Sequence, residues 1–166
     1  VLVSIKNGGG IRADIGDFAT RGPSLADSDD DLGLSRDAGA VVQGDIQGTL
    51  AFNNGLRLMT LTAEELITVL EHGVAEVPQV DGRYPQVSGV RFYYDSFAEP
   101  NSRITDVDIV DDDGEVLHQL MKSGEMVEGA PSTIRIVTLD FLTNPRFDED
   151  GNHVGAGDSY PFPNFN

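Results

Sequence analysis

The 166-residue chain contains no cysteine, which removes disulfides and thiolate metal sites and leaves the redox compartment open. It is poor in basic residues: 11 Lys and Arg stand against 28 Asp and Glu, a formal net charge of −17. Affinity for a nucleic-acid backbone comes from clustered Lys and Arg, so nucleic acid is excluded as a partner. A small anionic ligand is not excluded, because one arginine beside oriented backbone amides can override the general field. No apolar run reaches the roughly 18 residues of a membrane-spanning helix, and no signal peptide is visible. The three histidines, His72, His118 and His153, are too few for a two-metal centre. What remains, 39% apolar and 23% charged, is the composition of a globular domain long enough to bury a core. The opening on Val1 in mid-strand suggests a fragment.

The most informative stretch is Asn7-Gly8-Gly9-Gly10-Ile11-Arg12, with Asp14 just behind it. It closes the alternation Val1-Leu2-Val3-Ser4-Ile5, a strand by its period. Three successive glycines free the backbone for dihedrals closed to other residues and let a ligand approach bare amides. Arg12 adds a planar, permanently charged fork suited to phosphate or carboxylate. A tight glycine turn with a surface arginine accounts for the same six residues equally well.

Further on, Asp27-Ser28-Asp29-Asp30-Asp31 lacks the glycine and closing glutamate of a calcium loop and reads as a solvated surface loop. Ala40-Val41-Val42 leads through Gly44 and Gly48 to Thr49-Leu50-Ala51-Phe52-Asn53-Asn54. The stretch from Leu56 to Leu61 alternates like a half-buried strand. Behind it Thr62-Ala63-Glu64-Glu65 is a capping box, opening a helix that buries Leu66, Ile67, Val69 and Leu70 and ends near Gly73. His72, in its last turn, complements the helix dipole.

The segment from Gly82 to Gly89 reads as a loop whose geometry Pro85 and Gly89 set. Strands follow from Val90 to Asp95 and from Arg103 to Val110. Asp111-Asp112-Asp113-Gly114 turns the second of these into a hairpin with Val116 to Leu120, in preference to holding a metal. The β-branched run from Thr133 to Leu139 is the last strong strand and leads into Asp140-Phe141-Leu142-Thr143-Asn144. Gly151-Asn152-His153 imitates the Gly-Asn-His of calcineurin-like phosphoesterases, but Val154 stands where the acid should be, and a polar turn is preferred. Strands outnumber helices. The expected fold is α+β: one compact domain over residues 1–166 with a mixed β-sheet and a few packed helices.

Several of these stretches also resemble, in order, the C-terminal domain of the secreted 5'-nucleotidase family, of the UDP-sugar hydrolase and ecto-5'-nucleotidase type. They are Asn7 to Arg12 after a short strand, Leu70-Glu71-His72-Gly73-Val74, Tyr84-Pro85-Gln86-Val87-Ser88-Gly89 before a strand, and Gly157-Asp158-Ser159-Tyr160. The chain departs from the pattern where Ala51 replaces a proline before Phe52 and where Ala156 and Ser159 replace glycines. Residues near 16–40 and 145–155 read as insertions.

The resemblance implies the substrate-binding domain of an enzyme that hydrolyses nucleotide phosphate esters, with nucleotide sugars and cyclic nucleotides as variants. It implies Arg12 on the phosphate, Asp158 on the ribose, Phe52 and Phe141 clamping the base, and Asn7 contacting that base. Gly9 and Gly10 line the site through their backbones. An aromatic clamp stacks on a flat base without strong discrimination between bases. No catalytic residue and no metal ligand is implied in this chain. Two divalent metal ions in a separate N-terminal domain carry the chemistry in the family, so the chain alone is expected to bind weakly and hydrolyse nothing. The resemblance also implies a periplasmic, extracellular or cell-surface location. The alternative is a non-catalytic extracellular binding or adhesion module that keeps the fold, and a third reading is a module that uses its Asp clusters for calcium.

Overall fold

The alternating residues at the start of the chain form β1, Leu2–Asn7, in the computed structural model, which describes residues 2–13, 41, 43–144, 149–150 and 156–163. Asp14, the acidic run from Asp27 to Asp31, the Gly151-Asn152-His153 imitation and most of both insertions lie outside the described residues. The chain divides into two compact units, one of Val1–Gly9 with Asn54–Asn166 and one of Gly10–Asn53.

In the larger unit β1 pairs in parallel with β8, Thr133–Leu139, and antiparallel with β3, Pro85–Ser88. β2, Leu56–Thr62, pairs antiparallel with β8, giving the order β2-β8-β1-β3 and the mixed sheet expected from the sequence. The register sets Met59 opposite Ile136, Leu61 opposite Ile134 and Val3 opposite Ile136. Because side chains alternate between faces, this register lines those residues along one buried face.

The helix α2, Ala63–Val74, follows β2 with no intervening loop. Thr62 ends the strand and caps the helix: its Oγ1 accepts from the Glu65 amide at 3.2 Å, and Glu65 Oε2 accepts from the Thr62 amide at 2.7 Å. Leu66, Val69, Leu70 and Val74 fall on one stripe and are fully buried, each stabilising the fold by roughly 1.5–3 kcal/mol. Ile67, expected in the same stripe, is only half-buried.

A second sheet, all antiparallel, runs β4-β5-β6-β7: Val90–Tyr94, Ile104–Val110, Val116–Lys122 and Glu125–Met126. Gly89 is where the chain passes from one sheet to the other. It takes φ +73°, and a Cβ there would lie 2.7 Å from the Leu2 carbonyl oxygen, so only glycine fits. The expected hairpin turn is present, with Asp111 Oδ1 accepting from the amides of Asp113 and Glu115. Both sheets and α2 contribute to one core.

One local expectation changes, and one segment that carried none is helical. Pro85 to Ser88, read as loop, form β3, which lies at a sheet edge where a leading proline forfeits little of the ladder. The segment through Gly44 and Gly48 contains a helix, α1, Gln43–Thr49, in the smaller unit; it carries no apolar stripe that a sequence reading could detect.

One buried charge ties α2 to the start of β5. Arg103, 8% exposed, donates from Nη1 to the carbonyls of Val74 and Val77 at 2.5 and 2.7 Å and from Nε to Ala98 at 3.0 Å. Beside it, Glu71 Oε1 accepts from the Ile104 amide at 2.7 Å.

Candidate functional site

The site grows from the end of β1. Asn7, 4% exposed, donates from Nδ2 to Asp158 Oδ2 at 2.6 Å across 151 residues of sequence. With the amide nitrogen turned to the carboxylate, Asn7 Oδ1 is buried and has no hydrogen-bond partner among the described residues. The glycines that follow bring two backbones together. The Gly8 and Gly9 amides donate to the carbonyls of Tyr84 and Gly82 at 2.8 and 2.7 Å, and a Cβ on Gly8 would lie 2.9 Å from the Tyr84 oxygen. These two amides are therefore engaged by the loop before β3, which they seat beside Asn7. Gly10 is buried.

That loop and the end of the chain frame a cleft of about 340 Å³ lined by Asp81, Gly82, Arg83, Asp158 and Ser159. Asp81 takes three hydrogen bonds from Arg83: from its amide at 2.7 Å, Nε at 2.8 Å and Nη2 at 3.1 Å. These bonds hold the Asp81 carboxyl below the usual carboxylate range. Arg83 is held more firmly protonated, first by Asp81 and then by Glu76 at 2.9 Å. Its fork is thus occupied by two carboxylates. Sequence reasoning passed over this pair because Asp81-Gly82-Arg83 reads as an ordinary polar turn; its one signal is opposite charges directly before the Tyr84-Pro85 motif.

The Asp158 carboxylate is aimed by an unusual backbone. Asp158 and Ser159 have φ +52° and +57°, left-handed conformations that a side chain makes unfavourable. Ser159 stands where the resemblance leads one to expect glycine. The Asp158 carbonyl accepts from His72 Nε2 at 2.8 Å. The His72 ring meets Tyr160 edge-on at 4.9 Å, and the Tyr160 hydroxyl donates to the Arg83 carbonyl. His72 therefore has a partner far along the chain, beyond the helix-end role read from the sequence.

Phe141 lies on α3, Asp140–Thr143, anchored by the fully buried Leu142; its own side chain is 38% exposed. It rests against Gly157: a Cβ there would come within 2.5 Å of Phe141 Cε1 and 2.6 Å of Cδ1. The altered spacing after Phe141 thus still sets it beside the Asp158 turn. Gly157→Ala is expected to displace the Phe141 carbonyl as well as its ring, since a Cβ there also meets that backbone oxygen, and to lower stability by about 1–3 kcal/mol, the usual result of overpacking. A thermal melt reads the loss, and an unchanged Tm would show that the contact is easily relieved.

The smaller unit carries the other candidates. Arg12 and Phe52 are both exposed, and the guanidinium carbon lies 5.9 Å from the centroid of the Phe52 ring, a cation–π distance. The Arg12 amide donates to the Thr49 carbonyl at 2.8 Å. The sequence-derived set thus divides into Asn7, Gly9, Phe141 and Asp158 in the larger unit and Gly10, Arg12 and Phe52 in the smaller.

Residues 1–122 match the family model described as 5'-nucleotidase, C-terminal domain. The chain belongs to this family. It is 27% identical over 140 residues to the trifunctional nucleotide phosphoesterase protein YfkN of Bacillus subtilis (strain 168), a match covering 84% of this chain and 8% of that protein. Its structure resembles the 5'-nucleotidase precursor from Thermus thermophilus, with TM-score 0.63, 26% identity and coverage of 96% of this chain and 23% of that one. It also resembles the NAD nucleotidase NadN of Haemophilus influenzae, with TM-score 0.57, 91% of this chain and 21% of that one; at 19% identity the likeness is one of fold. The family and the α+β fold expected from the sequence are both borne out. The 5'-nucleotidase C-terminal domain described here spans under a quarter of each of these relatives. Among the described residues no helix is long and apolar enough to cross a membrane, and no three His, Asp or Glu side chains are grouped to hold a metal ion.

Proposed function

We propose that this chain is a nucleotide-binding module over residues 1–166 that presents a nucleotide or related phosphate ester to a two-metal phosphoesterase centre. That centre is assigned to an N-terminal domain of the same protein, outside the cytoplasm. The observation that carries the reading is Asn7. Its Oδ1 is buried without a partner among the described residues, a cost of about 1–3 kcal/mol that a ligand N–H would relieve. The amino group of a nucleobase is such a donor. Asp158 beside it accepts hydrogen bonds from ribose hydroxyls, and the half-exposed Phe141 offers its face to the base. Gly9 lines the site through its backbone.

The smaller unit is assigned contributions of its own: Arg12 for phosphate, Phe52 for a base and Gly10 through its backbone. The two divalent ions are assigned to the N-terminal domain, and this chain alone is expected to bind without hydrolysing.

Calorimetric titration with AMP, adenosine and inorganic phosphate, free of metal, tests the reading. AMP and adenosine are expected to bind, and Phe141→Ala to weaken both by about tenfold, since stacking is worth about 1–3 kcal/mol per base. No heat from AMP or adenosine at millimolar concentration, repeated with the upstream domain attached, would overturn it in favour of a non-catalytic binding module.

A further inference from the structure

We propose that His72 is a positioning residue for nucleoside recognition: its Nε2–H holds the Asp158 carbonyl and thereby fixes where Asp158 aims its carboxylate beside Asn7. The inference rests on reading the cleft as a nucleoside site.

Asp158 and Ser159 occupy consecutive left-handed conformations, and residues so placed keep them only where the surroundings enforce them. Gly157 is wedged against Phe141 on one side of the turn, and the Tyr160 hydroxyl is held by Arg83 on the other. Between them the Asp158 peptide is held by the His72 ring at 2.8 Å. A carbonyl oxygen only accepts, so Nε2 carries the proton in this contact. A histidine serving only the helix dipole needs neither this tautomer nor this partner.

The base from which His72 acts is rigid. α2 is capped at its start, buries seven residues and has Arg103 bound to its last carbonyl, that of Val74, and to the Val77 carbonyl just beyond it. Gly73, the next residue, lies against Pro85, where a Cβ would sit 2.8 Å from the proline Cδ. The helix therefore sets the height of the Asp158 turn over Asn7. Rotation of the Asp158 peptide would carry its carboxylate away from Asn7 Nδ2 and leave both polar atoms of that buried amide unbonded.

Two variants separate this role from simple packing. His72→Phe keeps a ring against Tyr160 and loses the donor, while His72→Gln keeps an N–H donor at similar reach. Each is titrated with adenosine and with 2',3'-dideoxyadenosine, and solvent exchange of the Asn7 side-chain amide is followed by NMR without ligand. His72→Phe is expected to weaken adenosine by about tenfold, the worth of about one hydrogen bond, to weaken the dideoxynucleoside less, through the loosened Asn7 alone, and to accelerate Asn7 amide exchange. His72→Gln is expected to restore all three towards the parent values. Equal weakening of both nucleosides, or exchange and affinity unchanged in His72→Phe, would overturn the assignment. If the parent chain binds neither nucleoside, the nucleoside reading falls by itself. The exchange experiment then still decides the positioning: accelerated exchange in His72→Phe supports it and unchanged exchange overturns it.

Discussion

Arg103→Met is expected to lower the unfolding free energy by about 3 kcal/mol or more, read as a reduced urea midpoint with unchanged slope. The side chain is 8% exposed and bonds three carbonyls, those of Val74, Val77 and Ala98. Val74 closes α2, whose last carbonyls have no intrahelical donors. A positive charge there also meets the negative end of the helix dipole. Methionine fills similar space, so the loss measures the carbonyls of Val77 and Ala98 deprived of the guanidinium, the Val74 carbonyl keeping the Val77 amide at 3.2 Å, and not an empty cavity. Arg103→Lys should recover only part of the stability, because an ammonium on a flexible stem does not reproduce a planar fork reaching three acceptors. Glu71 adds a parallel tie to the Ile104 amide, so Arg103→Met and Glu71→Gln should not be additive. A midpoint shift worth less than about 0.5 kcal/mol, the range of ordinary surface substitutions, would remove Arg103 from this role.

Alkaline pH is the second strong destabiliser expected. Burial pushes the Tyr160 hydroxyl up, helped by the nearby Asp158 charge. Tyr84 is pushed up to about 12, first by its hydrogen bond with Tyr94 and then by burial. In the unfolded chain both ionise near pH 10. Between that value and the folded values the native state holds more protons than the unfolded state, so stability falls as pH rises. Their contribution is fully present below pH 10 and is lost above it, by at most about 1.4 kcal/mol per pH unit for each tyrosine. Tyr84 is half-buried and contributes less than that limit; Tyr160, 3% exposed, carries more of the slope. Tyr160→Phe should start less stable at pH 8, having lost its bond to the Arg83 carbonyl, and then decline more gently from pH 10 to 12. Urea unfolding at pH 8, 10, 11 and 12 measures both effects. Parallel curves for the two proteins would show that Tyr160 is not the group responsible.

Much of the fold was legible because its signals are local. Thr62 and Glu65 are three residues apart, and the reciprocal bonds between them form as soon as the chain turns helical. Asp111 to Gly114 likewise encode their turn within five residues. The period-2 stretches at Leu56, Ile104 and Thr133 announced strands, but a period carries no record of which strand is the neighbour. The separation into two sheets depends on Gly89, whose need for a positive φ arises only when Leu2 lies across from it.

The candidate site shows the same division. Asn7 and Asp158 came to notice through their motifs, yet the bond between them and the orphaned Asn7 oxygen exist only in three dimensions. Asp81 and Arg83 satisfy each other so well that the sequence offers nothing but a charged turn. His72 was assigned to the helix that carries it, because its real partner lies 86 residues away. The glycines Gly8 and Gly9 were read as open to a ligand; only the folded chain reveals that Gly82 and Tyr84 take up their amides.

The placement of β1 has a consequence for how the domain assembles. The first strand in sequence is an inner strand, flanked by β3 on one side and β8 on the other. The β4 to β7 meander joins strands that are neighbours in sequence and closes only short loops. β1 instead waits for partners about 80 and 130 residues further on, and it is the latter, β8, that also receives β2. Ribosomal synthesis therefore delivers the whole meander before the seam of the mixed sheet can close. Until residues 133–139 emerge, Val3 and Ile5 have no parallel neighbour, and the apolar edges of β1 and β2 are the surfaces most in need of protection from aggregation during synthesis.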